Sequence, residues 1–220
     1  MIRYKFIKPV QWTNKLGTVL PIDFDLHNIN FTNLTEEIFE ELQDYLKNNK
    51  NPDYIWMKGI GDSSYYFKMK DLIKLIKERY PTQKIGIYLN CAVFQYSKLR
   101  KEFIDSDFIA INLNSIDPNN FAKINKCHEC ENPRQILEGI KQFSSLFKGQ
   151  YLGIYTLLLK GINDNTRNIR NIKNFLLEVK PDHYSLSNYT SNGFEPISNE
   201  FKTVIREILK DLPFEVIYMF

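Results

Sequence analysis

Short continuous apolar runs alternate along this chain with longer stretches in which apolar residues recur at helical spacing, the pattern of strands alternating with helices. The first strand-like run is Gly17–Asp25, with Pro21 in its middle. Leu34, Ile38, Leu42 and Leu46 then repeat on one helical face, and Thr35 followed by Glu36 and Glu37 marks that helix's start. A second strand, Tyr54–Met57, runs into Gly59 and Gly61, and its helix covers Lys70–Arg79. The third strand is Lys84–Leu89, with a helix near Tyr96–Ile104. The fourth, Phe108–Leu113, leads into a short helix at Asn119–Ile124 and a longer one at Pro133–Phe147 that begins on proline. The fifth, Tyr151–Leu159, precedes a helix over Thr166–Val179, and the sixth, His183–Ser187, precedes one over Asn199–Leu209. Phe214–Phe220 reads as a last strand.

This alternation predicts parallel pairing with right-handed crossovers. No linker, low-complexity tract or short-period repeat interrupts it, so residues 1–220 read as one domain. Six strand–helix units make an α/β fold, either an open sheet or a partial (β/α)6 barrel of the TIM type, and in both the loops after the strands share one face. That face would gather Asp62, Asn90, Cys91, Asn112, Asn114, Ser115, Lys160, Asn163, Asp164, Asn188 and Tyr189. It is polar, rich in amides and nearly without histidine.

Composition narrows the picture. At 220 residues and 43% hydrophobic, the chain suffices for one sizeable core. Lys plus Arg (29) against Asp plus Glu (26) leaves +3, too balanced to suggest a partner among nucleic acids or anionic membranes. No apolar stretch approaches the roughly 20 residues of a membrane span. The opening Met1–Val10 lacks the pattern of a signal peptide, so a cytoplasmic location is expected. Cys91, Cys127 and Cys130 are few and odd in number, which argues for thiols in a reducing compartment.

Two segments carry candidate chemistry. In Gly59-Ile-Gly61-Asp62, the glycines would let a ligand approach the backbone at a strand end, with Asp62 as an acceptor; a plain tight turn is the other reading. Tyr65, Tyr66 and Phe67 beyond it would either wall an adenine-like ring or pack on the next helix. Cys127-His128-Glu129-Cys130, with Cys91 at a neighbouring strand end, offers three thiolates, or two and a histidine, to zinc or to a relocated iron–sulfur cluster; redox pairing and unligated thiols are the other readings. Lys160, Asn163 and Asp164 read first as a turn and helix cap around Gly161. His27 reads as a surface residue and His183 as structural.

Taken in order, the strand-end segments Gly59-Ile-Gly-Asp62, Leu89-Asn-Cys91, Asn112-Leu-Asn114, Phe121-Ala-Lys-Ile-Asn125 and Lys160-Gly-Ile-Asn-Asp164 resemble those of the radical S-adenosylmethionine (radical SAM) superfamily, in its branch with six βα units. That branch has Gly-x-Gly-Glu after the second strand, Thr-Asn-Gly after the third, a Ser-Leu-Asp-like fourth end, then Phe-x-x-Ile-Asn and Lys-Gly-Ile-Asn-Asp. The resemblance covers nearly the whole chain and implies a partial barrel with S-adenosylmethionine at the C-terminal face. Gly59, Gly61, Asp62, Asn90, Asn112 and Asn114 would then be the cofactor-binding residues. Asp62 is one methylene shorter than the family's Glu and falls roughly 1.5 Å short of the same contact.

One departure is large. The family holds a [4Fe-4S] cluster with Cys-x-x-x-Cys-x-x-Cys after the first strand. Here the matching loop, residues 25–33, contains no cysteine. The resemblance therefore implies a degenerate member without the usual radical cleavage, acting as an accessory subunit to a protein partner or an intact homologue. Two other functions stay open: an enzyme that keeps S-adenosylmethionine or nucleotide binding for polar chemistry, and a metal or iron–sulfur protein using Cys91, Cys127 and Cys130.

Overall fold

The computed structural model describes residues 4–6, 10–13, 17–25, 34–60, 66–104, 106–118, 120–125, 132–188 and 195–220. Its elements run β1 (Tyr4–Phe6), β2 (Val10–Thr13), β3 (Gly17–Asp25), α1 (Leu34–Asn48), β4 (Tyr54–Ile60), α2 (Tyr66–Arg79) and β5 (Lys84–Asn90). A turn of 3-10 helix (Cys91–Gln95) leads to α3 (Ser97–Phe103), β6 (Phe108–Asn112), α4 (Phe121–Asn125) and α5 (Pro133–Leu146). Then come β7 (Tyr151–Leu158), α6 (Thr166–Val179), β8 (His183–Asn188), α7 (Asn199–Leu209) and β9 (Glu215–Met219). Among the described residues, no helix is long and apolar enough to cross a membrane.

Strands β3 to β9 lie side by side in chain order, all parallel, and curl into a half-barrel with helices outside. This is the partial barrel that the strand–helix alternation predicts, its six units followed by β9. The sequence pattern did not anticipate β1 and β2, which pair antiparallel with the outer edge of β3. Phe6 lies opposite Ile22, and Val10 opposite Val19, so that edge is covered along its length. Three- and four-residue edge strands are too short to carry a legible period.

Strand side chains alternate between two apolar layers, as expected of a parallel sheet covered on both faces. The outer layer packs Ile55, Met57, Ile85, Ile87, Ile109, Ile111 and Ile154 against helical residues such as Ile38, Leu42, Ile76, Ile140 and Leu176. The inner layer is aromatic: Tyr54, Trp56, Phe108 and Tyr155, with Tyr88 and Tyr151 beside them. Room for these rings comes from glycines in register with them. Gly86 lies opposite Trp56 and Gly153 opposite His183, and a Cβ on either would overlap its neighbour's ring.

The end of the sheet away from the functional face carries a repeated device. Asp53, Asp107 and Asp182 immediately precede β4, β6 and β8. Each carboxylate accepts a backbone N–H from the second residue of the preceding strand: Thr18 at 2.6 Å, Ile85 at 2.8 Å and Leu152 at 2.7 Å. Asp107 also takes the Lys77 ammonium at 2.7 Å. These are charge-assisted bonds to donors that would otherwise lack a partner at a strand start. In the first copy, β3 opens on Gly17 at φ +73°, where a side chain would be strained and would overlap Asp53.

Candidate functional site

The strand-end amides of the C-terminal face prove to be bonded chiefly to one another. Asn90 and Asn112 end β5 and β6 in register. Asn112 and Asn114 form a reciprocal amide pair, with bonds of 3.1 and 2.9 Å. The Asn114 Oδ1 also accepts from Leu157 N–H at 2.8 Å, and its Nδ2 donates to the Ile124 carbonyl at 3.3 Å. Two donors and two acceptor sites exhaust a primary amide. Asn114 therefore has no capacity left for a ligand. Asn112 presents to Asn114 the same edge with which an amide would grip a donor–acceptor pair such as an adenine edge.

Around this pair a wider buried network closes. Asn125, the last residue of α4, accepts the Asn114 N–H at 2.7 Å and donates to the Ser115 carbonyl at 2.8 Å. Asn163 donates to the Asn114 and Leu157 carbonyls, each at 2.8 Å, and accepts from Leu159 N–H at 2.7 Å. Asn168, near the start of α6, donates to the Asn163 carbonyl at 3.1 Å and accepts the Ser115 hydroxyl at 3.0 Å. Asn90 donates to the Asn125 carbonyl and accepts from Ala92 N–H. The turn reading of the Lys160 segment agrees with this geometry, with Gly161 at φ +77° and its N–H on the Asp164 carboxylate at 2.7 Å. The helix cap, however, is neither Asn163 nor Asp164: Asn165 caps α6, its side chain accepting from Asn168 N–H. Lys160 pairs with Glu195 at 2.5 Å, and Asn188 accepts from Ile197 N–H at 3.1 Å. Asn125 and Asn168 were not singled out as site residues. Asn125 had a signal, since it closes the Phe-x-x-Ile-Asn segment, whose asparagine meets the network of Asn163 from Lys-Gly-Ile-Asn here.

Gly59 is the penultimate residue of β4, in register with Phe24. Gly61, Asp62, Tyr65, His27, Cys127, His128, Glu129, Cys130 and Tyr189 lie outside the described residues. Cys91 is fully buried in the outer apolar layer, among side chains and not on the open face. Among the described residues, no group of three or more His, Cys, Asp or Glu is arranged to hold a metal ion. The Cys127–Cys130 span is nonetheless flanked by two anchored residues. Asn125 receives the Asn90 amide at 2.8 Å, and Asn132 N–H bonds to Gln95 Oε1 at 2.9 Å, so one flank is tied to the end of β5 and the other to the end of the 3-10 turn after it.

Below the amides lies a packed floor. His183 Nε2 and the Tyr155 hydroxyl are 2.7 Å apart, and the imidazole stacks on Tyr151 with ring centroids 4.9 Å apart. This fits the structural part expected of His183. Burial, with Glu215 and Asp182 nearby, pushes the Tyr151 phenol up to about 12, so it stays neutral at physiological pH. Gly153→Ala places a methyl in the His183 ring and is expected to lower stability by about 1–3 kcal/mol, read as a shift in the denaturation midpoint with unchanged slope.

No family model matches the chain. Among solved structures, a radical SAM methyltransferase from Sphaerobacter thermophilus superposes with a TM-score of 0.67 over 94% of this chain and 67% of its own, at 12% identity. The chain has a radical SAM fold. A domain of a pyruvate-formate lyase-activating enzyme from Bacteroides vulgatus matches this radical SAM fold at a TM-score of 0.59, covering 73% of this chain and 96% of its own at 17% identity. Curated relatives match by sequence. A UPF0026 protein of Helicobacter pylori is 29% identical over 153 residues, which are 69% of this chain and 49% of that protein. A protein of Brachyspira hyodysenteriae named GTPase Obg is 29% identical over 151 residues, 69% of this chain and 22% of its own length. The chain thus spans about half the length of the first relative and about a fifth of the second.

The radical SAM fold raises the question of its cluster, whose thiols the sequence does not supply in the family's usual place. The loop after β3 has no thiol, and Cys91 is sealed in the core.

Proposed function

We propose that this chain is a radical-SAM-fold protein that does not itself carry out radical cleavage and works as an accessory partner to another protein. The amide network around Asn114 supports this reading. Asn90, Asn112 and Asn114, three of the six residues that the family resemblance assigns to a cofactor, make bonds that link β5, β6, β7 and α4. The sequence offers no Cys-x-x-x-Cys-x-x-Cys, the thiol set that holds the family's cluster. The name of the Brachyspira relative does not bring a GTPase reading with it: the sequence contains no Gly-Lys pair, so it has no Gly-x-x-x-x-Gly-Lys phosphate loop.

Anaerobic purification with iron and sulfide analysis, followed by incubation with S-adenosylmethionine and a strong reductant, tests the proposal. A colourless protein that releases no 5′-deoxyadenosine is expected. Stoichiometric iron and sulfide, or deoxyadenosine formation, would overturn it.

One observation favours a second reading, in which Cys127, His128 and Cys130 take a metal: one flank of that span is bonded to the end of β5 and the other to the end of the 3-10 turn that follows it. Zinc at one per chain, lost in Cys127→Ser, would carry this reading. Retention of S-adenosylmethionine by the Gly59–Asp62 segment is separated from both by calorimetry. Binding that disappears in Asp62→Ala without any bound metal would point to a ligand-binding protein.

A further inference from the structure

The two edges of the sheet are treated differently. The β3 edge is covered by β1 and β2, whereas among the described residues β9 pairs with β8 alone. A strand left in this state presents a row of backbone N–H and C=O groups to whatever extended chain reaches it. Native edges of this kind are usually blunted by Lys, Pro or a bulge. The residues Val216-Ile-Tyr-Met-Phe220 contain no such device, and Met219 is 49% exposed.

What flanks this edge decides its partner. On α7, Lys202 and Arg206 stand one turn apart on the same face. The Arg206 guanidinium lies over the rings of Tyr218 (5.1 Å) and Phe220 (5.5 Å), and the Lys202 ammonium lies over Phe220 (5.7 Å). Both cations therefore sit on the β9 side of the helix, and the Lys202 ammonium spends one of its three N–H groups on Asn199 Oδ1 at 3.2 Å. Cations resting on ring faces keep their N–H groups available at the ring edge. A second copy pairing antiparallel with β9 would bring two such basic flanks together, which disfavours self-association.

We propose that β9 is a docking strand for an extended, acidic segment of a partner protein. The segment adds to the sheet by backbone hydrogen bonds, and its carboxylates meet Lys202 and Arg206. The only charge on β9 itself, Glu215, is bonded to the Tyr151 hydroxyl at the opposite end of the strand. The partner's acidic residues therefore belong beside Tyr218 and Phe220. This inference rests on the sheet edge and not on whether the amide rim binds a ligand, so either can fail alone.

The probe is a fluorescein-labelled decapeptide of alternating valine and glutamate, with a valine–lysine peptide as its counterpart. Anisotropy is measured at millimolar excess of chain, together with amide exchange at residues 215–219. The expected result is binding of the glutamate peptide only, slowed exchange at β9, and at least a tenfold loss of affinity in K202E/R206E. Both substituted positions are exposed or half-buried, so the double variant is expected to keep its fold, with circular dichroism as the check. Absence of binding, equal binding of the two peptides, or binding unchanged in K202E/R206E would overturn the proposal. Concentration-dependent protection of residues 215–219 without peptide would also overturn it, in favour of a second copy.

Discussion

Replacing Asn114 with leucine is expected to remove on the order of 3–5 kcal/mol of folding stability, a large share of the total for a domain of this kind. Leucine keeps the branched skeleton of asparagine, with methyl groups in place of the amide oxygen and nitrogen, so the loss is chiefly one of hydrogen bonding. Three groups lose their partner at once: the Leu157 N–H, the Ile124 carbonyl and the paired edge of Asn112. Asn114 is 6% exposed, so water does not replace them freely, and each orphaned buried group costs about 1–3 kcal/mol. Asn132→Ala is the comparison. It removes an exposed cap whose Oδ1 accepts from the Arg134 and Gln135 N–H groups, worth about 1 kcal/mol. Denaturant midpoints of the two variants decide the matter: if Asn114→Leu costs no more than Asn132→Ala, Asn114 is not a hub.

A second substitution is expected to act against its helical propensity. Glycine inside a helix is ordinarily improved by alanine, by about 1 kcal/mol. Gly139 lies in α5, yet Gly139→Ala is expected to destabilise by about 2–4 kcal/mol. A Cβ there would overlap the carbonyl oxygen of Phe94 and press on the Arg100 guanidinium, which itself donates to that oxygen. The obstacle is backbone, held in the 3-10 turn between β5 and α3, and it cannot swing aside as a long side chain would. Helix α5 therefore reaches the sheet only by bringing its backbone against that turn. A thermal melt that rises in this variant would show that α5 does not sit so close.

Much of the architecture was legible because burial on both faces of a parallel sheet forces continuous apolar runs, and amphipathic helices must fill the gaps between them. The bounds of α6 and α7 follow directly from that pattern. The order of the strand-end segments was legible too, and with it the fold. What those segments do was not. An asparagine at a strand end reads as an available donor and acceptor, and nothing in the sequence tells whether a group some forty positions away has already taken it, as the Leu157 N–H has with the Asn114 amide oxygen. The aspartate device was hidden for a different reason. Asp53-Tyr54, Asp107-Phe108 and Asp182-His183 recur at uneven intervals, and each aspartate alone looks like an ordinary turn residue before a strand. Only pairing shows that all three grip the same position of the strand before.

That device has a consequence for how such a chain can change over time. Each carboxylate fixes the alignment of two neighbouring strands at the end remote from the loops that bear function. A one-residue slip would exchange the inner and outer layers, so alignment is what the sheet can least lose. With that secured at one end, the loops at the other are free to shorten, lengthen or exchange their residues without disturbing the frame. A thiol-bearing loop after the first parallel strand could be discarded in such a lineage while the half-barrel persisted, leaving a scaffold open to recruitment for a new task.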